Sequence, residues 1–203
     1  MTIRRIGFAY NPTNEAAVEL SARASGWCQV RGIGDWQAPS GDLERLTREL
    51  QTTDALVVLG GDGTFLRAAR AVAEVDVPLL GINLGKVGFL SKAEAGELES
   101  VLANIVAGDY TIDERMVIEG RILRGGVEGE GSRHIALNDI VIARGALARV
   151  CRLDVSIDGT HLATFIADGL VVSSPTGSTG YSFSAGGPIL PRRVPTRAQK
   201  RIL

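Results

Sequence analysis

Cysteine is scarce in this chain of 203 residues: Cys28 and Cys151 stand far apart, with no CxxC spacing. That scarcity excludes a disulfide scaffold or a cysteine-rich zinc module, and free, partly buried thiols are expected. Histidine is as sparse, and His134 and His161 sit at no metal-ligand spacing, so both read as structural or exposed. The net charge is only -1, which argues against a broad basic surface for nucleic acid. Long apolar runs are lacking as well. Asp and Gly interrupt every hydrophobic stretch, so no membrane span is expected, and the opening "MTIRRIGFAYNPTNE" carries no signal-peptide core. These absences, with an ordinary 45% of hydrophobic residues, leave a soluble cytoplasmic protein as the expectation.

What is present falls into two halves. "RIGFAY" (5–10) predicts a strand, and "NPTNEAAVELSARAS" (11–25) a helix capped by Asn11 or Thr13. "CQVRGI" predicts a short second strand, and "SGDLERLTREL" (40–50) an amphipathic helix with Leu43, Leu46 and Leu50 on one face. "DALVVLG" and "VPLLGIN" read as buried strands, with helices from about Thr64 to Val75 and over "GELESVLANIVAG". Such alternation implies right-handed crossovers and a parallel sheet. From about Asp113 the segments "MVIEGRIL", "HIALNDIVIARG", "CRLDVSIDGTHLATFIA" and "GLVVSSP" are β-rich, and Asp158-Gly159 marks a hairpin. The expected architecture is an α/β, Rossmann-like domain with a parallel sheet (1–112), then an all-β, sandwich-like domain (113–190). A basic tail, "PRRVPTRAQKRIL" (191–203), follows and reads as disordered. Trp27 and Trp36 are expected at the edge of the first domain.

Three segments are candidates for chemistry. In "LGGDGTFLRAAR" (59–70), Gly60-Gly61-Asp62-Gly63 joins a buried strand to a helix, a place where amides and the helix dipole suit an anion. It lacks the third glycine of a dinucleotide fingerprint, where Leu66 stands. "GINLGKVG" fails as a Walker loop, since Val87 follows Lys86. Asp62 would repel a phosphate unless it bound a metal or accepted a hydroxyl hydrogen bond, and a helix cap is the rival role. Those two readings stay open on spacing alone.

The second segment, "DGLVVSSPTGSTGYSFSAGG" (168–187), ends a strand in a hydroxyl-rich loop. Thr176, Ser178 and Thr179 offer donors and acceptors, and Tyr181 a stacking face. A purine or ribose site fits it. A serine-hydrolase elbow does not, because Thr176 occupies the first glycine position. The third is Asn138-Asp139, two polar residues inside the apolar strand "HIALNDIVIARG", either a hydroxyl- or carboxamide-holding pair or a strand-end turn.

In combination, "LGGDGTFLRAAR", "GINLGKVGFL", "ALNDIVIARG" and "DGLVVSSPTGSTGY" resemble the NAD kinase family in order and spacing, over about residues 1–190. The resemblance implies transfer of a phosphoryl group from ATP or polyphosphate to the adenosine 2′-hydroxyl of NAD, with Mg²⁺ or Mn²⁺. It implies Asp62 as the catalytic aspartate, with Gly61, Gly63 and Arg67 in its binding turn and Phe89 stacking on adenine. Asn138 and Asp139 would hold nicotinamide-side groups, with Arg149 as a basic contact. Asp168 would serve the nicotinamide end, and Thr176, Thr179, Tyr181 and Ser184 would frame the adenosine. The sequence departs from the family at Asp139, where Glu is usual, and at Gly180, where alanine is usual. Ile166-Ala167 stand where a basic residue and a glycine are common. After "GGPIL" the family continues with further strands. The second domain is therefore expected to be incomplete, to expose strand edges and to lean on a homo-oligomeric partner, a dimer or tetramer. No nucleic acid or membrane partner is implied. A non-catalytic nucleotide-binding remnant and a lipid kinase relative are the alternative readings.

Overall fold

The computed structural model describes residues 3–85, 88, 90–91, 93–145, 150–191 and 199–202. It divides into one unit of residues 1–117 with 196–203 and a second of residues 118–195.

In the first unit β1 (Arg5–Tyr10) leads to α1 (Glu15–Val30), β2 (Gly34–Pro39), α2 (Leu43–Leu50) and β3 (Ala55–Leu59). Then follow α3 (Asp62–Val72), β4 (Leu79–Asn83), the short β5 (Ala93–Glu94), α4 (Leu98–Ala107) and β6 (Asp113–Met116). The strands β2-β1-β3-β4 pair in parallel, as the strand–helix alternation predicts. The β3 strand is buried along its whole length, which is why "ALVVL" reads as an unbroken apolar run. Ile6, Phe8, Val57, Leu59 and Ile82 meet Leu20, Ala24, Cys28, Leu98 and Leu102 in one core.

Three local expectations are corrected. The segment "CQVRGI" is no strand: α1 runs on to Val30, because Ala17, Leu20, Ala24 and Cys28 form one buried helical stripe. The second strand is instead Gly34–Pro39, where Trp36 is buried and donates from Nε1 to Thr53 Oγ1 at 2.8 Å. The cap of α1 is Asn14, whose side chain accepts from the Ala17 N–H, while Asn11 accepts from Thr13 in the turn before it. On α2, Leu46 and Leu50 are buried but Leu43, the first helical residue of the same stripe, is exposed at the helix end.

The second unit contains β7 (Ile118–Arg124), β8 (Val127–Ala136), β9 (Asp139–Ala143), β10 (Cys151–Ile157), β11 (Thr160–Ala167), β12 (Gly169–Ser173) and α5 (Tyr181–Ser184). Among the described residues its strands pair two by two, as antiparallel ladders β7-β8, β9-β12 and β10-β11. Asp158 and Gly159 both take positive φ, the turn that a two-residue hairpin of this type demands. "HIALNDIVIARG" is not one strand. β8 ends at Ala136, and Leu137-Asn138 bend the chain before β9.

Part of the expected basic tail is structured. Gln199–Ile202 form β13, antiparallel to β6 and touching β4 in the first unit's sheet. An open strand edge offers unpaired N–H and C=O groups to any extended segment within reach, whatever its side chains. The two cysteines are free, Cys28 buried and Cys151 half-buried. No helix among the described residues is long and apolar enough to cross a membrane.

Candidate functional site

The strand order β2-β1-β3-β4 reverses direction between β1 and β3. In open α/β sheets the crevice beyond the carboxyl ends of two such strands is the usual ligand position. Here the loop after β1 meets the turn after β3, since Asn11 N–H donates to the Leu59 carbonyl at 3.4 Å. The glycine turn lies at that reversal.

Within the turn the glycines differ. Gly60 has φ 157°, and a Cβ there would sit 2.6 Å from Thr64 Oγ1, so packing and backbone both demand glycine. Gly61, the N-cap of α3, has nothing within 4 Å of such a Cβ, and Gly63 meets only the Arg67 guanidinium at 4.0 Å. Those two positions leave space open over the first turn of a helix, where the dipole is positive.

Asp62 is the first residue of α3, not its cap. The cap role that spacing allowed is taken by Gly61. Asp62 is half-buried, and its Oδ1 accepts the Leu90 N–H at 3.2 Å. That bond brings together two of the four motif segments, the glycine turn and the loop after β4. Sequence reasoning did not single out Leu90 for this, because a backbone amide carries no side-chain signature. Arg67 is exposed and folds back over the turn: Nε donates to Ser40 Oγ at 3.2 Å and Nη2 to Thr64 Oγ1 at 3.4 Å. Ser40, buried at the end of β2, was also unforeseen. Only a sheet that sets β2 beside β1 carries it to α3. Phe89 and Arg149 lie outside the described residues.

The other two motif segments meet in the second unit. β12 runs against β9 with Ser173 opposite Asp139 and Gly169 opposite Ala143. Ser174 N–H and Ser173 Oγ both donate to the Asn138 carbonyl, at 2.8 and 3.4 Å. A Cβ on Gly177 would lie 2.2 Å from that same carbonyl, so the loop after β12 is pressed onto the Asn138 backbone. Asn138 Oδ1 is buried with no hydrogen-bond partner among the described residues, a costly state that a ligand donor would relieve. Asp139 is half-buried beside it.

In the hydroxyl-rich loop the serines are structural. Ser174 Oγ donates to the Leu137 carbonyl and accepts Gly177 N–H, while Ser178 Oγ donates to the Pro175 carbonyl and accepts Leu190 N–H. Ser178, expected to face a ligand, is fully buried by those bonds. Thr179, Tyr181 and Ser184 are exposed, with Thr176 half-buried ahead of them. Asp168, at the other end of the β9-β12 ladder, is exposed and ion-paired with Arg144 at 3.2 Å. His134 and His161 are exposed.

The family model of the ATP-NAD kinase N-terminal domain matches residues 4–110, and that of the ATP-NAD kinase C-terminal domain matches residues 137–198. The second match runs past residue 190, where the motif resemblance ends. An NAD kinase of Dehalococcoides mccartyi is 39% identical over 187 residues, covering 92% of this chain and 66% of the relative. One from Natranaerobius thermophilus is 49% identical over 140 residues, covering 69% of this chain and 48% of the relative. The chain thus spans about half to two thirds of the length of these relatives. Among solved structures, yeast NADH kinase complexed with NADH superposes with a TM-score of 0.74 at 27% identity, over 100% of this chain and 66% of that one. An NAD kinase from Archaeoglobus fulgidus in complex with ATP gives 0.71 at 26% identity, over 94% and 68%. With its glycine turn and its Asn-Asp ladder both within the matched segments, the chain belongs to the NAD kinase family.

Proposed function

We propose that the chain transfers the terminal phosphoryl group of ATP to the adenosine 2′-hydroxyl of NAD, giving NADP and ADP. The carrying observation is Asp62: a carboxylate at the first turn of α3, oriented by Leu90 N–H, beside two glycines with open space above them. Asp62 accepts or orients the 2′-hydroxyl proton while the ribose oxygen attacks phosphorus and the bond to ADP breaks. Phosphoryl transfer asks the protein for positioning and charge rather than a covalent intermediate, so no cysteine, histidine or serine nucleophile is required. Gly61, Gly63 and Arg67 serve the donor phosphates, and Phe89 stacks on adenine. Asn138, Asp139 and Arg149 hold polar groups of the dinucleotide, with Thr176, Thr179, Tyr181 and Ser184 around its adenosine. Asp168 serves the nicotinamide end. Polyphosphate is the second donor to be compared with ATP.

Among the described residues no three His, Cys, Asp or Glu side chains cluster as a metal cage. That fits a Mg²⁺ or Mn²⁺ ion that travels on the donor's phosphates, with at most one or two carboxylates from the protein, Asp62 first. The ion would neutralise charge developing on the transferred group. The free thiols suit a reducing, cytoplasmic compartment. The exposed apolar side chains of the second unit, Phe165 and Ile166 among them, support a homo-oligomer, which a native mass measurement tests.

The central test incubates the purified chain with NAD, ATP and Mg²⁺ and measures NADP. Asp62→Asn is expected to lower the rate by about 100-fold or more while NAD still binds. NAD binding by the unaltered chain without any NADP would overturn the catalytic reading. Chelation of the divalent ion is expected to stop turnover and leave NAD binding in place.

A further inference from the structure

Donor phosphates need a positive charge held in one place, and Arg67 lies exposed on the surface of α3. A long exposed side chain ordinarily samples many rotamers, so fixing one of them costs entropy when a ligand binds. Here one edge of the guanidinium is already held. Arg67 Nε donates to Ser40 Oγ at 3.2 Å, and Nη2 donates to Thr64 Oγ1 at 3.4 Å. Both acceptors are buried, Ser40 at 1% exposure and Thr64 at 3%.

Each acceptor is itself fixed by backbone. Ser40 follows β2, and its N–H donates to the Tyr10 carbonyl at 2.8 Å, which carries the β1-β2 pairing one step further. Thr64 N–H donates to the Gly61 carbonyl at 2.9 Å, and Gly60 makes room for the Thr64 hydroxyl by having no side chain. Ser40 and Thr64 are neutral, so they hold the cation without cancelling its charge. Among the described residues Arg67 has no carboxylate partner. Its remaining nitrogen, Nη1, lies 4.0 Å from where a Gly63 Cβ would stand, in the first turn of α3. A cation folded back over that turn sits at the positive end of the helix dipole, where stability alone disfavours it. A bound polyanion relieves that repulsion and meets a donor edge already turned outward.

We infer that Ser40 is a positioning residue for the phosphoryl donor, acting through Arg67, an assignment that rests on the proposed donor role of the glycine turn. Ser40 touches no donor atom. It holds Nε so that the opposite edge of the guanidinium is presented to the phosphates in one orientation. The chemistry recognised is the phosphate chain, which ATP and inorganic polyphosphate share.

The test compares the unaltered chain with Ser40→Ala, Arg67→Ala and the double variant, each checked for folding by its melting temperature. The measurements are dissociation constants for Mg²⁺-ATP, inorganic tripolyphosphate and NAD, with the separate KM values where turnover is present. Arg67→Ala is expected to weaken ATP and tripolyphosphate about tenfold, the loss of a charge-assisted contact. Ser40→Ala is expected to weaken them about three- to fivefold by freeing the guanidinium, and both variants to leave NAD within about twofold. On the Arg67→Ala background, Ser40→Ala is expected to add nothing, because its effect passes through the arginine. A merely structural Ser40 would weaken NAD and donor together, or weaken the donor equally with and without Arg67. Either result overturns the inference, as does a donor affinity unmoved by Ser40→Ala. Losses confined to ATP, with tripolyphosphate unchanged, overturn it too, since they place Arg67 on the nucleoside. An unaltered chain that binds neither ATP nor tripolyphosphate overturns the functional reading and this inference with it. Donor binding without NADP formation sinks only the catalytic reading, because the coupling is still read from the dissociation constants.

Discussion

The two units of this molecule bury their apolar side chains to very different degrees. Among the described residues, Ala136 and Leu137 are the only buried hydrophobic ones in 118–195; the rest of that core lies in the first unit. The exposed large hydrophobics show the reverse, with Val18, Val30, Leu43 and Ile112 in the first unit. Ile122, Val127, Ile142, Phe165, Ile166, Phe183 and Ile189 are among those in the second. A parallel sheet covered by helices hides its strands within its own sequence. Two-stranded ladders cannot, because each has two edges and two faces and few neighbours to cover them. The difference teaches that most of the buried core and the glycine turn reside in the first unit, while the second is held by local bonds such as Ser174 to Leu137.

The sharpest way to break that comparison is a pair of matched truncations. Phe65, fully buried on α3, and Phe165, 45% exposed on β11, differ mainly in surroundings. Phe65→Ala is expected to cost about 3–5 kcal/mol in urea unfolding. Phe165→Ala is expected to cost under about 1 kcal/mol, as surface substitutions do. Equal losses would mean that the second unit has a core of its own.

A smaller contrast lies inside the glycine turn. Gly60→Ala is expected to destabilise the first unit by about 1–3 kcal/mol, since the new methyl strikes Thr64 and the backbone there suits glycine. Gly61→Ala is expected to cost less, under about 1 kcal/mol for a poorer N-cap, and to raise KM for the phosphoryl donor by filling the open space. Stability loss at Gly61 without a KM effect would show that this space serves folding rather than a ligand.

The least effect is expected from the thiols, which report burial directly. Burial in the first unit's core pushes the Cys28 thiol from an ordinary value of 9.0 up to about 12, with Asp35 adding to the rise and Arg31 opposing it. The unfolded chain loses that proton at lower pH than the folded one. Stability is therefore intact below about pH 9 and falls as the pH climbs toward about 12. Cys28→Ser is expected to flatten this alkaline decline. In the native state at pH 8, a thiol-alkylating reagent is expected to label Cys151 well before Cys28, read by peptide mass. Labelling in the opposite order would contradict the burial difference between the units.

Much of the fold was legible because the deciding signals are local. The apolar run of β3 followed by glycines announced a strand–turn–helix joint, and Asp158-Gly159 announced a hairpin. Local signals also explain the failures. "CQVRGI" looks β-like by composition, yet Cys28 extends a stripe begun at Ala17, and packing outweighs propensity there. Asn138-Asp139 interrupt an apolar pattern, which flagged them, but the pattern alone could not tell a bend from a strand interior. β13 carries no apolar periodicity at all. Its pairing depends on an open edge supplied by residues far away in the chain.

The sequence alone determined the alternation of elements, the position of the glycine turn, the set of motif segments and hence the family. Those features depend on neighbours a few residues apart, where backbone preferences and side-chain period operate. Only the tertiary structure decided that Gly61, not Asp62, caps α3, and that Asp62 meets Leu90 N–H. It alone decided that Ser40 anchors Arg67 and that Arg144 stands opposite Asp168. Each of these is a contact between segments distant in the chain, set by sheet order and strand register, and register is chosen by how whole faces pack.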